Sequence, residues 1–194
     1  MSTEKKQIDS EQKPDNNKSS FWKTVKENGT TVAIALLISF IIRVFIAEPR
    51  YIPSESMFPT LEIGDRLIVE KVSYRFNDVG HGDIVVFQPP PQLQIQGYEA
   101  NQAFIKRAIA QSGETVAVTD GIVYINNKPL TENYIAQLPQ YDLMAVTVPE
   151  GKLFVMGDNR NNSNDSHIWG FLPENNIIGH AVFRFCPLSR IGKV

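Results

Sequence analysis

Apolar and polar positions divide the chain into three parts. Residues 1 to about 20 are Lys, Gln, Asp, Asn, Ser and Glu with almost no apolar content. Such a segment cannot bury enough surface to order itself, so 1–29 is expected to be a disordered tail. Within it, Phe21 and Trp22 stand beside Lys23 and Lys26, a pairing suited to a membrane interface. From Thr30 to Ala47 the run is nearly all apolar, broken by Arg43. About eighteen helical residues at ~1.5 Å each span about 27 Å, close to a bilayer core. Arg43 lies within two turns of the end, where its stem can snorkel to the interface. A buried core helix would carry a clearer polar face. A cleaved leader would end in small residues, whereas Phe45 and Ile46 are bulky and Pro49 follows. A retained transmembrane helix over 30–47 is therefore expected.

After residue 50 the helical period disappears. Short apolar runs bounded by Gly or Asp predict strands at 65–72, 83–87, 115–118, 122–125, 146–148, 153–156 and 178–185. Thr119-Asp120-Gly121 between two of them predicts a hairpin turn. Pro89-Pro90-Pro91 and the Gln-rich piece to Gln102 predict a loop excursion. The expected fold is mostly β: one transmembrane helix, then an all-β domain over 48–194 built of antiparallel sheets.

Charge adds an orientation. Lys18, Lys23 and Lys26 flank the N-terminal side of the apolar run, against Glu48 and Arg50 on the other. The positive-inside rule then leaves the N-terminus in the cytoplasm and carries 48–194 across the membrane. A net charge of −2 gives no electrostatic footprint for nucleic acid. The one cysteine, Cys186, excludes an intrachain disulfide, and His81, His167 and His180 lack zinc-type spacing.

Three stretches could carry chemistry. In Pro53-Ser54-Glu55-Ser56-Met57-Phe58-Pro59-Thr60-Leu61 the prolines stiffen the chain. In extended backbone Ser54 and Ser56 project to one side, suiting a nucleophile and a neighbouring donor. An ordinary polar loop would read the same way. In Ala103-Phe104-Ile105-Lys106-Arg107-Ala108-Ile109-Ala110 a lysine sits among apolar residues. Desolvation there lowers its pKa, and a neutral amine is a competent general base. Exposure on an edge strand as an aggregation guard is the alternative. The loop Gly157-Asp158-Asn159-Arg160-Asn161-Asn162-Ser163-Asn164-Asp165-Ser166-His167 is rich in oxygen donors. It fails the calcium-loop order, with Arg160 third, no Gly sixth and no Glu twelfth. No metal or cofactor is expected.

These three stretches, in this order behind an apolar anchor, resemble bacterial type I signal peptidase over about residues 30 to 185. The wording Asp165-Ser166-His167-Ile168-Trp169-Gly170 is similar to its cyanobacterial and thylakoid-processing branch. The resemblance implies a membrane-bound serine endopeptidase that cleaves signal peptides from exported preproteins. Its partners would be those preproteins and the lipid bilayer, with the site on the outer face of the plasma membrane or in the thylakoid lumen. It implies Ser56 as nucleophile, Lys106 as general base, and Ser54 as oxyanion donor beside the Ser56 N–H. Ser163 would hydrogen-bond Lys106 and orient it. Asp158, Arg160 and Asp165 would brace the loop, and Ile52, Leu61 and Ile105 would line shallow substrate pockets.

The chain departs from the family in having Ala110-Gln111-Ser112-Gly113 where Gly, an apolar residue, Pro and Gly are usual. His167 replaces a frequent Arg, and only a small inserted β-ribbon fits at about 113–150. Two rival readings are a self-cleaving Ser–Lys protease of repressor type, which would need a DNA-binding head, and a tethered β-domain that only binds.

Overall fold

The computed structural model describes residues 16–194. The apolar run forms a helix, α1 (Asn16–Ile41), which continues as a π-helical turn over Ile42–Ile46 that contains Arg43. Asn28–Ile46 is long and apolar enough to cross a bilayer, and none of it is buried against protein. The helix starts at Asn16, inside the stretch 1–29 expected as a tail. Residues 1–15 of that tail lie outside the described residues.

The second unit, Ile42–Val194, is β-structure. Its strands are β1 (Ala47–Tyr51), β2 (Arg66–Glu70), β3 (Ile84–Phe87), β4 (Phe104–Ala110), β5 (Thr115–Thr119), β6 (Ile122–Ile125), β7 (Lys128–Pro129), β8 (Leu143–Thr147), β9 (Lys152–Met156), β10 (Leu172–Pro173), β11 (Ile177–Cys186) and β12 (Gly192–Lys193). Two short helices interrupt them, α2 (Pro91–Ile95) and α3 (Ser166–Trp169). The larger sheet runs β1-β2-β11-β3-β4-β9-β10, with β12 beside β11. The smaller runs β7-β6-β5-β8 and is drawn from residues 115–147. Every pairing is antiparallel.

Local chemistry explains most of these elements. β3 reads as an unbroken apolar run because both of its faces are covered. Val85 and Phe87 pack with Leu93, Ala108, Val155 and Trp169, whereas Ile84 packs with Met57, Leu61 and Leu67. Thr119 pairs with Ile122 across Asp120 and Gly121, whose φ of 50° and 76° fit a tight hairpin turn. β1 is not announced by an apolar run and carries Pro49. It lies at the sheet edge, where a missing donor is tolerated. A third cluster, with Ile109 and Phe154 from the large sheet and Val116, Val118 and Val123 from the small one, joins the two.

Candidate active site

After β1 the chain enters the sheet's edge loop, and Ile52 N–H donates to the Asp65 carbonyl at 2.9 Å. Met57 is fully buried in the core beside Leu61 and Ile84. It pins the segment, so that its neighbour Ser56 turns toward solvent. Truncating such a side chain costs about 2–5 kcal/mol. Phe58 N–H donates to the Glu55 carbonyl and Leu61 N–H to that of Met57, each at 2.9 Å, so the stretch turns after Ser56. Ser54 Oγ and Ser56 Oγ lie 3.3 Å apart, on one side of the chain as expected.

Lys106 comes from β4, a central strand held by β3 and β9. Its Nζ sits 2.8 Å from Ser56 Oγ and donates to the Ile105 carbonyl at 2.9 Å. Only 3% of the residue is exposed. Burial pushes its pKa down to about 8, against the opposing fields of the Asp165 and Asp158 carboxylates. The neighbouring Arg107 is also buried and forms a two-pronged pair with Asp158: Nε to Oδ1 at 2.8 Å and Nη2 to Oδ2 at 2.6 Å. Thr60 Oγ1 donates to the same carboxylate at 2.5 Å.

The loop after β9 wraps behind both groups. Asn159 N–H donates to the Ser56 carbonyl at 3.1 Å, and its side-chain amide donates to the Glu55 carbonyl at 3.1 Å. Gly157 N–H donates to Asp165 Oδ2 at 2.8 Å, and Arg160 Nε donates to the Gly157 carbonyl at 3.1 Å. A Cβ at Gly157 would collide with Ser163 Oγ and the Ser56 carbonyl, so glycine is required by close approach. His167 Nδ1 lies 2.6 Å from Asp165 Oδ1, and Tyr141 stacks on the imidazole with ring centres 4.1 Å apart.

A cleft of about 490 Å³ opens over Ser54, Ser56 and Lys106, walled by Tyr98, Phe104 and Ile105. Ile105 lines this cleft, whereas Ile52 and Leu61, expected beside it, are buried in the core with Met57 and Leu67 and are not part of its wall. Sequence marks them as apolar without saying which way they point. Ser163 is likewise corrected. Its buried hydroxyl makes no hydrogen bond to Lys106, because the amine is directed at Ser56 and Ile105 while Ser163 packs on Gly157. Asp158 is held by Arg107 and Thr60, Arg160 by Glu132 and the Gly157 carbonyl, and Asp165 by the Gly157 N–H and His167; nothing in the sequence points to Arg107 or Glu132 as partners. Asn159 was missed although it lies inside the polar loop. Tyr98 was missed because nothing local links the Gln-rich excursion to Ser56. Among the described residues no cluster of three or more His, Cys, Asp or Glu could hold a metal.

A hydroxyl within hydrogen-bond reach of a desolvated amine, beside a second hydroxyl in an open cleft, is the constellation of a serine hydrolase with a lysine base. The chain belongs to the signal peptidase family, peptidase S26, whose match covers residues 25–186. It is 62% identical over 173 residues to "Probable signal peptidase I-1" of Synechocystis sp., covering 89% of this chain and 88% of that protein. It is 54% identical to "Signal peptidase I" of Leptolyngbya laminosa over 164 residues, 84% of this chain and 81% of the other. "Thylakoidal processing peptidase 1, chloroplastic" of Arabidopsis thaliana matches at 44% identity, over 85% of this chain and 49% of that longer protein.

Proposed function

We propose that this chain is a membrane-anchored serine endopeptidase that removes N-terminal signal peptides from exported preproteins, with Ser56 as nucleophile and Lys106 as general base. The observation that carries the assignment is the 2.8 Å approach of a buried amine to an exposed-side hydroxyl. Above its lowered pKa the amine is neutral and its lone pair accepts the Ser56 hydroxyl proton. Ser56 Oγ then attacks the scissile carbonyl carbon. The oxyanion that forms is met by the Ser54 hydroxyl and the Ser56 N–H, which makes no other hydrogen bond among the described residues. The Lys106 ammonium gives its proton to the departing amine. A water, deprotonated by the Lys106 amine, then attacks the acyl carbon, and the resulting ammonium returns the proton to Ser56 Oγ as the acyl–oxygen bond breaks, freeing the product and restoring the hydroxyl. Ile105 and Phe104 supply apolar wall for the small side chains before the cut.

The helix Asn28–Ile46 anchors the domain in the bilayer. Lys23 and Lys26 before it favour a cytoplasmic N-terminus and a catalytic domain on the far side, in the plasma membrane or, as the alternative, the thylakoid membrane with the domain in the lumen. Trypsin added to sealed right-side-out vesicles then digests the C-terminal part; complete protection refutes the orientation. The function is tested by purified full-length protein in detergent acting on a preprotein. Release of the signal peptide that disappears in Ser56→Ala and in Lys106→Ala supports the assignment, and wild-type cleavage by either variant overturns it.

A further inference from the structure

Resting on the reading of Ser56 and Lys106 as the dyad, we propose that Glu132 and Tyr134 form a positioning hub that locks β4 to the 157–166 loop and so holds the amine against the hydroxyl. Both residues come from the irregular segment between β7 and β8, far from the cleft in sequence. The two halves of the dyad reside on different elements, and nothing covalent fixes their separation. Lys106 is carried by β4, next to Arg107. Ser56 is held through its carbonyl by Asn159 and by close packing on Gly157. The hub touches both sides.

Glu132 takes the Arg160 guanidinium in a two-pronged grip, Nη1 to Oε2 at 2.7 Å and Nη2 to Oε1, with the arginine side chain wholly buried. Arg160 in turn donates to the Gly157 carbonyl, directly behind Ser56. Tyr134 donates its hydroxyl to Glu132 Oε1 at 2.7 Å. The face of the same ring carries the Arg107 guanidinium, 4.0 Å from the ring centre. A cation over an aromatic face is attracted by the ring quadrupole, more strongly when water is excluded. One tyrosine thus joins the arginine beside Lys106 to the carboxylate that holds the arginine behind Ser56. The segment grips the loop twice more. Asn161 accepts from Gln140 N–H at 2.8 Å and donates to the Leu138 carbonyl at 3.0 Å, and Tyr141 covers His167. Glu132 and Tyr134 do not line the cleft, so their own effect on the chemistry passes through Arg160 and Arg107.

Full-length protein in detergent, assayed on one preprotein from about pH 6 to about pH 10, tests the hub. Misplacing a reacting group by about 1 Å costs ~10²-fold. Tyr134→Leu is expected to lower kcat by about that factor with KM within about twofold. The acid limb of kcat/KM moves upward as water reaches the loosened amine. Tyr134→Phe, which keeps the ring on Arg107, restores kcat to within about tenfold of wild type. Glu132→Gln, a smaller disturbance, lowers kcat about tenfold at unchanged KM and serves where Tyr134→Leu fails to fold. Wild-type kcat and an unmoved limb in a folded Tyr134→Leu, or in Glu132→Gln, overturn the hub while Ser56→Ala remains inactive. A loss that only tracks the unfolded fraction overturns it too. Full activity in Ser56→Ala instead overturns the dyad reading on which the hub depends.

Discussion

Lys106 Nζ and Ser56 Oγ meet at 2.8 Å although 50 positions separate them in sequence. The amine has been stripped of water, and this alone makes the contact useful. An ordinary lysine would be an ammonium at neutral pH, a donor to Ser56 and unable to take its proton. With the pKa down at about 8, kcat/KM is expected to rise as pH increases through about 8 and then level off. Steady-state cleavage of a preprotein across that range checks it. A rise centred near the ordinary lysine value would mean that the amine is solvated during turnover.

The same burial makes a stability prediction of fixed sign. The folded amine titrates at about 8 and the unfolded one at 10.5, so between them the unfolded chain holds the extra proton. Stability therefore increases as pH rises through this window and is lowest below it. Lys106→Met removes the cost of burying the charge. It is expected to be more stable than wild type at about pH 7, by on the order of 3 kcal/mol, with the gap shrinking as pH rises from about 8 towards 10.5. Denaturant unfolding at both pH values measures the difference, and a destabilised variant at neutral pH would contradict it.

The two serines should separate in an activity assay. Ser56→Ala removes the attacking atom and abolishes turnover. Ser54→Ala removes one of two oxyanion donors and is expected to lower kcat by ~10²–10³ with some activity left. Ser54 is exposed, so its loss should change stability by no more than about 0.5 kcal/mol. Equal loss in both variants would place Ser54 elsewhere in the reaction.

Much of this site is legible in the sequence, for identifiable reasons. Ser54 and Ser56 alternate in a proline-stiffened piece, and Lys106 stands among apolar neighbours, so each carries a local signal. The strands announce themselves as apolar runs, and Asp120-Gly121 as a turn. What stayed hidden is direction and partnership. Ile52 and Leu61 are apolar whether they face a substrate or the core, and the fold turns both inward. Ser163 was given to Lys106 by resemblance, but the Ile105 carbonyl takes the amine's other bond. Glu132 and Arg160, or Arg107 and Asp158, are unremarkable charges until the chain folds, since no period or spacing links residues 28 or 51 positions apart.

Gly157 gives a steric test of the loop's closeness to the nucleophile. A methyl group there would meet Ser163 Oγ and the Ser56 carbonyl, and the second of these is backbone and cannot swing away. Gly157→Ala should therefore push Ser56 off Lys106 and lower kcat by about 10²-fold, since displacements of about 1 Å have that effect. Overpacking of this kind also costs about 1–3 kcal/mol. Kinetics well below the variant's unfolding temperature isolate the first effect. Wild-type kcat would show that the loop can retreat without moving the serine.

Arg107 and Asp158 supply the electrostatic test. Asp158 has no exposed surface and is held by two guanidinium hydrogen bonds and by Thr60. Removing the arginine leaves a carboxylate buried without its counter-charge, which typically costs about 3–5 kcal/mol. Arg107→Met is therefore expected to be strongly destabilised. Asp158→Asn in the same background should recover part of that loss, because the stranded charge is then gone. Groups in direct contact couple by about 0.5–3 kcal/mol in such a cycle. Chemical denaturation of the four proteins gives the coupling energy. A value near zero would mean that the pair is solvated in the folded protein. A large one would mean that Arg107 and Asp158 hold each other inside the fold, where the Asp158 field opposes the desolvation that brings the Lys106 pKa to about 8.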